Sequence, residues 1–193
     1  IITVIGFGLG PFIGGLIAQF SNQPLVTPYL PIIAAAILCF FGLFLVKAPQ
    51  FKVQPFSIAP RLEIPAAQHH SLFFIAGLTA FSAFGAFSLF ASLSPSFVKD
   101  LIPWHGPLVS GSAIASILLV SAVVQFSAKS LLPAKSLILG LITLVVSFVL
   151  LGLCMSMQWS ILFFISDILV GVGHGLGLLG AFGLIHQMTT PDN

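Results

Sequence analysis

Six long apolar segments, separated by short polar or proline-containing stretches, dominate the chain. They cover residues 1–20, 26–46, 71–94, 106–126, 134–155 and 160–185. The hydrocarbon core of a bilayer is about 30 Å thick, and a helix needs about 20 apolar residues to cross it. A strand that entered the bilayer alone would leave its backbone polar groups without partners. The pattern therefore predicts an all-α polytopic membrane protein with about six transmembrane helices.

Composition agrees with a membrane protein and excludes some classes of binding partner. Hydrophobic residues make up 58% of the chain and charged residues 5%, whereas about a quarter of a soluble chain is charged. Six scattered Lys and Arg residues do not form the basic patch that nucleic acid requires. Cys39 and Cys154 fall inside predicted spans, which indicates small apolar fillers rather than a disulfide or a metal pair. We therefore expect a lipid bilayer as a partner, and neither nucleic acid nor metal.

Charge and aromatic residues predict the orientation. Residues 47–70 form the one long connection, and its four prolines are typical of a linker between two helical bundles. The basic residues of this linker and of the connection between the fourth and fifth spans would lie on one side: Lys47, Lys52, Arg61, Lys129 and Lys135. The tyrosine and tryptophan residues would lie at the opposite interface: Tyr29, Trp104 and Trp159. The positive-inside rule then makes the linker and both chain ends cytoplasmic.

Asp167 and His174 are the candidate residues for chemistry inside the membrane. Asp167 is the one acidic residue within a predicted span, and such a carboxylate typically marks an ion, proton or substrate pathway. His174 follows seven residues later, on nearly the same helix face. We expect both side chains to face one cavity, where they could exchange a proton near neutral pH. The alternative is that Asp167 lies in water near the outer mouth and that His174 bonds to a neighbouring helix.

The third span places hydroxyl residues among phenylalanines. This mixture is typical of an apolar cavity with a few hydrogen-bonding points. Ser82, Phe84 and Ser88 are therefore candidate residues of the substrate pathway, together with Asp167 and His174. In the alternative interpretation the phenylalanines face lipid and the serines bond to their own helix backbone.

Glycine and proline are concentrated in the first span, at Gly6, Gly10, Pro11, Gly14 and Gly15. Such residues disfavour a soluble helix, but in a membrane helix small residues let a neighbouring backbone approach closely. The fourth span is rich in small residues over 110–116, so we expect the first and fourth spans to pack together. The last span also carries many glycines between residues 171 and 183, which predicts close helix contacts there.

Two glycine patterns resemble dinucleotide-binding loops without meeting their requirements. In the first span Pro11 stands in place of the third glycine, and no acidic residue occurs before Glu63. Residues 175–180 match G-x-G-x-x-G, but they lie in a span that nearly ends the chain and leaves no room for a βαβ unit. We therefore expect no cofactor.

Ser112 and His174 offer an alternative of a different functional class. They lie in the fourth and sixth spans, and His174-x-x-Gly177 resembles the histidine motif of rhomboid intramembrane serine proteases. The nucleophile motif differs, because Ser110 and Ala113 flank Gly111-Ser112, and the second span has no histidine. The expected function is therefore not an enzyme. A complete six-helix channel or scaffold protein is a further alternative.

The spacing Gly6-x-x-x-Gly10-Pro11-x-x-Gly14-Gly15 resembles the antiporter signature on the fifth helix of the major facilitator superfamily. The resemblance implies a twelve-helix transporter of which this chain spans roughly helices five to ten. Residues 1–46 would be the last two helices of the N-terminal bundle, 47–70 the linker, and 71–193 the first four helices of the C-terminal bundle. Only two lysines remain of the family's charged loop motif near residues 124–135, so a gating role is not expected there.

The resemblance implies a secondary active transporter that works by alternating access around a midplane site. We therefore expect proton-coupled efflux of small molecules, with Asp167 and His174 on the pathway and the glycine motif at a helix interface. The start at Ile1 and the end at Asn193, directly after a span, favour a fragment. The remaining helices of the same transporter would then be partners.

Overall fold

The computed structural model describes residues 2–46, 67–101 and 106–189, and every regular element in these ranges is helical. Its six α-helices are α1 (Ile2–Phe20), α2 (Tyr29–Leu43), α3 (His70–Leu101), α4 (Pro107–Ser127), α5 (Pro133–Met157) and α6 (Ser160–Thr189). All except α2 belong to segments that are long and apolar enough to cross a bilayer. The chain is an all-α polytopic membrane protein, as the apolar pattern predicts.

Helix α6 lies at the centre of the described bundle, against α3, α4 and α5. A Cβ atom added at Gly173 would lie 2.8 Å from the Leu144 side chain of α5, and one at Gly180 would lie 2.6 Å from a backbone nitrogen of α5. On the other side of α6, a Cβ at Gly175 would lie 2.7 Å from a backbone oxygen of α4. Close backbone approach supplies the packing that holds membrane helices together. The close contacts expected of the glycines in the last span are confirmed.

Paired contacts define the directions of the helices. Asp167 and His174 of α6 meet Ser116 and Ser121 of α4 in the same order, so these two helices are parallel. The pairing of α1 with α4 runs in the opposite order, because the first part of α1 contacts the second half of α4. Helices α3 and α5 are likewise antiparallel to α6.

The two ends of the bundle carry different side chains. Lys129 lies just after α4 and Lys135 lies in the first turn of α5, at the end of the bundle where α1 starts. Lys99 and Trp159 lie at the opposite end. This distribution agrees with the predicted alternation of the spans. Residues 47–66 and Trp104, on which the predicted orientation also depends, lie outside the described residues. Which side of the membrane each end faces stays a prediction.

The expected contact between α1 and α4 is present, but α1 uses a partly different set of residues. Gly8 and Gly15 are buried against α4, and the Pro11 carbonyl lies against Gly111. These positions are three and four residues apart and form one stripe along the helix. Among the described residues, no atom of another helix lies within 4 Å of a Cβ at the other three motif glycines, which form a stripe on a different side of α1: Gly6, Gly10 and Gly14. Only Pro11 and Gly15 of the predicted motif therefore contribute to this contact.

Helix α2 is shorter than the predicted span over 26–46. Its 15 residues extend about 22 Å, which is less than the hydrocarbon thickness. Pro24 and Pro28 lack the N–H group that a preceding helical turn would need, and residues 23–30 form hydrogen-bonded turns instead. Helix α3 differs in the other direction, because it continues through Pro95 beyond its predicted end at residue 94. One proline removes a single backbone hydrogen bond, which a long helix tolerates.

Candidate functional site

A buried carboxyl group joins α6 to α4. The side chain of Asp167 is 4% exposed, and its Oδ2 is hydrogen-bonded to the Ser116 hydroxyl of α4. The same hydroxyl lies 2.7 Å from the backbone oxygen of Ala113. The alternative position of Asp167, in water near an outer mouth, is not observed among the described residues.

The Ser116 hydroxyl has one proton and two neighbouring acceptors, so it cannot donate to both at once. If Asp167 is ionised, the hydroxyl donates to the carboxylate and leaves the Ala113 oxygen. If Asp167 carries a proton, the carboxyl donates to Ser116 and the hydroxyl donates to Ala113. The contact between α4 and α6 therefore has two hydrogen-bond arrangements that differ by one proton.

The second carboxyl oxygen, Oδ1 of Asp167, is buried and has no hydrogen-bond partner among the described residues. Buried polar atoms are nearly always paired, because an unpaired one loses its hydration without compensation. An ionisable residue buried within a membrane helix is a candidate functional group.

His174 is the second buried polar residue of α6. Its Nδ1 lies 2.8 Å from the Ser121 hydroxyl oxygen of α4, and the Gln125 side-chain amide donates to the same oxygen at 3.2 Å. The prediction that His174 bonds to a neighbouring helix is therefore confirmed. Its Nε2 is buried without a hydrogen-bond partner among the described residues. The rings of Phe84 and Phe87 pack on the imidazole, with centroid distances of 5.3 and 5.9 Å.

A cavity of about 410 Å³ lies beside His174, between α1, α3, α4 and α6. This volume lies within the range of small-molecule sites. Ring surface comes from four phenylalanines: Phe7, Phe84, Phe87 and Phe182. Polar groups come from four residues: Thr3, Ser88, Gln125 and His174. The remaining lining is aliphatic, so the cavity is apolar with a few hydrogen-bonding points.

The predicted pathway residues separate into two places. Phe84, Ser88 and His174 line the cavity, whereas Asp167 and Ser82 are not part of its described wall. Asp167 and His174 do share the face of α6 that contacts α4, as their spacing predicts. They do not share one cavity, because Asp167 lies two turns away, about 10 Å along the helix, and is covered by α4. The expected common cavity is not found among the described residues, and proton exchange between the two side chains stays a prediction.

The hydroxyl residues of α3 divide between the two interpretations of the third span, a cavity lining and bonding to the helix backbone. The Ser82 hydroxyl donates to the Leu78 backbone oxygen at 2.8 Å, as does Thr79 to Ile75. Ser88 instead lines the cavity. Backbone bonding therefore accounts for Ser82, and the cavity interpretation holds for Ser88 and Phe84.

Ser112 does not pair with His174. Its hydroxyl donates to the Leu108 backbone oxygen at 2.7 Å, while His174 contacts Ser121. In the part of the chain that the structure describes, no three His, Cys, Asp or Glu side chains are grouped so that they could hold a metal ion.

Three partners on α4 were missed from the sequence: Ser116, Ser121 and Gln125. Small residues of this span indicate close packing, but their pattern does not reveal which hydroxyl meets which group of α6. Only the register between two parallel helices decides this pairing.

Comparison with protein-family models gave no match, and searches of the curated proteins and of the solved structures gave no significant match. The resemblance to the major facilitator superfamily therefore stays a prediction. Fold and geometry define the class as a polytopic helical membrane protein with a buried Asp167–Ser116 contact between two helices and a separate apolar cavity beside His174.

Proposed function

We propose that this protein is a secondary active transporter, in which proton binding at Asp167 is coupled to the movement of a small molecule by alternating access. The observation that carries the proposal is the Ser116 hydroxyl, which has one proton for two acceptors, Asp167 and Ala113. Adding or removing one proton therefore changes the hydrogen bonding between two packed membrane helices.

This arrangement supports coupling because the protonation states differ in their demand for water. An ionised carboxylate is far more costly in lipid than a neutral carboxyl group. A conformation that buries Asp167 and one that hydrates it must therefore differ in proton affinity. By linkage, the proton then changes the relative populations of the two conformations.

The cavity supports the second part of the proposal, the movement of a small molecule. His174 lies in its wall and faces α4 from the same side of α6 as Asp167. A displacement of α6 relative to α4 would change both contacts together, which is a direct mechanical link between proton and substrate. The resemblance adds the direction, since it implies efflux of small molecules driven by protons entering across a bacterial inner membrane. Helices of the same transporter outside this chain would complete the pathway.

The test is proton coupling in proteoliposomes that contain the complete protein. A pH-sensitive dye inside the vesicles reports proton movement when a candidate small aromatic compound is added. We expect Asp167→Asn to abolish this movement and Asp167→Glu, which keeps a carboxyl group, to retain part of it. Ser92→Ala on α3 is the control, because its hydroxyl bonds only to the Leu89 backbone oxygen in the described structure. Unchanged proton movement in Asp167→Asn would remove Asp167 from the mechanism.

One observation favours a second candidate, an intramembrane serine hydrolase. Ser121 and His174 are within hydrogen-bond distance on the fourth and sixth helices. However, Ser121 is fully buried in the second half of α4. We therefore expect a fluorophosphonate probe to label neither Ser121 nor Ser112. Labelling of Ser121 that is lost in His174→Ala would favour the hydrolase over the transporter.

A further inference from the structure

The hydrogen-bond partners of Ser121 favour one tautomer of His174. Its oxygen accepts from the Gln125 amide, and its own proton has one described acceptor, Nδ1 of His174. Because the Ser121 proton has no other described acceptor, these contacts favour the tautomer in which Nδ1 accepts it. In that tautomer the imidazole proton is on Nε2, which is buried without a hydrogen-bond partner among the described residues.

The cavity next to this donor has no formal charge in its described wall. Asp, Glu, Lys and Arg are absent from the described lining, and Asp167 lies outside it. A cation or an anion in this cavity would lose its hydration without a counter-charge. The wall therefore favours a neutral ligand.

Aromatic surface determines the shape of the ligand that fits. Four phenylalanine rings surround a space of about 410 Å³, and rings pack favourably against other rings in offset or edge-to-face geometry. Phe84 covers the imidazole in an edge-to-face contact and is 48% exposed. Both Phe84 and His174 line the cavity, and the pairing inferred below requires this half-exposed ring to turn aside so that a ligand reaches Nε2.

We infer that the cavity binds a neutral aromatic molecule with a hydrogen-bond acceptor, such as an aryl ketone, and that this acceptor pairs with Nε2–H of His174. The inference rests on the proposed function and names the substrate class of the transporter. Three observations carry it together: a buried donor without a partner, an uncharged wall and a ring-lined space.

Photolabelling with benzophenone tests the inference directly. Benzophenone is a neutral diaryl ketone, and its excited carbonyl inserts into nearby C–H bonds. In membranes that contain the complete protein, we expect labels on cavity residues such as Leu178 and Leu118, mapped by mass spectrometry after proteolysis. Labelling confined to lipid-facing residues such as Phe81, which is 75% exposed, would overturn the proposal.

Matched competitors measure the hydrogen bond without any mutation. Fluorenone and fluorene are rigid and nearly identical in shape, and only fluorenone has a carbonyl oxygen. One hydrogen bond in a water-poor site corresponds to about tenfold in affinity. At equal concentration in the bilayer, we expect fluorenone to suppress cavity labelling about tenfold better than fluorene. Equal suppression would overturn the proposal, as would stronger suppression by the cation tetraphenylphosphonium.

Variants at His174 identify the donor. His174→Phe keeps a ring and loses the N–H group, so fluorenone should lose its advantage, whereas His174→Gln keeps an N–H donor and should retain part of it. Ser92→Ala should behave like the unmodified protein. An undiminished advantage in His174→Phe would refute the assigned donor. Labelling needs no proton gradient, so failed transport with intact labelling counts only against the proposed function, and coupled transport with equal competitors counts only against this inference.

Discussion

The contact between α1 and α4 is expected to depend on Gly15 and not on the adjacent Gly14. A Cβ at Gly15 would overlap the backbone oxygen of Pro107 and lie 3.0 Å from its carbonyl carbon and 3.2 Å from Cα of Leu108. All three atoms are backbone atoms at the start of α4, so they cannot turn aside as a flexible side chain would. A Cβ at Gly14 has no described atom within 4 Å.

The two alanine substitutions isolate this steric effect. Each replaces glycine by alanine within the same helix, which by propensity stabilises the helix by up to about 1 kcal/mol. This contribution cancels in the comparison. Overpacking against a rigid neighbour costs about 1–3 kcal/mol. The free energy that holds α1 against α4 should therefore be lower in Gly15→Ala than in Gly14→Ala by about that amount.

Energy transfer between dyes on α1 and α4 measures the separation of these helices. Ile2 and Phe126 are exposed near the same end of the bundle, and each can carry a dye on an introduced cysteine after both native cysteines are replaced by alanine. Titration with dodecyl sulfate in mixed micelles gives the detergent fraction at which energy transfer is lost. The free energy that separates α1 from α4 is then extrapolated from this transition. We expect Gly15→Ala to lose transfer at lower denaturant, and Gly14→Ala to match or exceed the unmodified protein.

Two results would refute the reasoning. Equal effects of both substitutions would mean that Gly15 has no special contact with Pro107. A larger loss in Gly14→Ala would mean that the stripe of Gly6, Gly10 and Gly14 holds α4, contrary to the observed packing.

Three further substitutions test the packing of the bundle in the same denaturant titration, followed by circular dichroism. Gly140→Ala should lower the free energy of unfolding by about 1–3 kcal/mol, because the new Cβ would lie 2.5 Å from the Gly177 nitrogen. Gly152→Ala, also on α5, is the control, because a Cβ there has open space. Equal losses in the two variants would contradict the close contact. Ser136→Ala removes a buried 2.8 Å hydrogen bond to a carbonyl of α6 and should destabilise the fold by about 0.5–1.5 kcal/mol; no change would show that the bond gives no net stabilisation. Gln158→Gly should stabilise the turn between α5 and α6 by about 0.5–1 kcal/mol, since Gln158 has a φ of 56°; a loss of stability would mean that the glutamine side chain contributes more than its backbone strain.

The helices were largely predictable from the sequence because their signal is local. Helices α4, α5 and α6 begin within one residue of the predicted spans, since each follows a proline, glycine or polar turn that interrupts a long apolar run. The start of the second span was overestimated because hydropathy does not register the N–H groups that its prolines lack, and α2 also ends three residues before the predicted end. Prolines acted in opposite ways in α2 and α3, and their position relative to a helix start decides which effect prevails.

The candidate site was predictable only in part. The shared face of Asp167 and His174 follows from the helical period within α6, whereas the burial of Asp167 was one of two interpretations that the sequence left open. Their separation does not follow from the period, because α4 covers Asp167 and leaves His174 beside the cavity. The same limit applies to Ser116 and Ser121, whose roles depend on the register of α4 against α6.

The sequence by itself determined that the chain is helical, that it lies in a membrane, and which of its residues can carry a proton or a hydrogen bond inside the bilayer. These properties depend on the bilayer thickness and on the 3.6-residue period, and both act within one helix. Tertiary structure alone decided that Gly8, Pro11 and Gly15 form the contact of α1, and that Asp167 and His174 serve separate sites. The physical reason is that small side chains allow helices to approach in several rotations and registers, and only the packing of the whole bundle selects one of them.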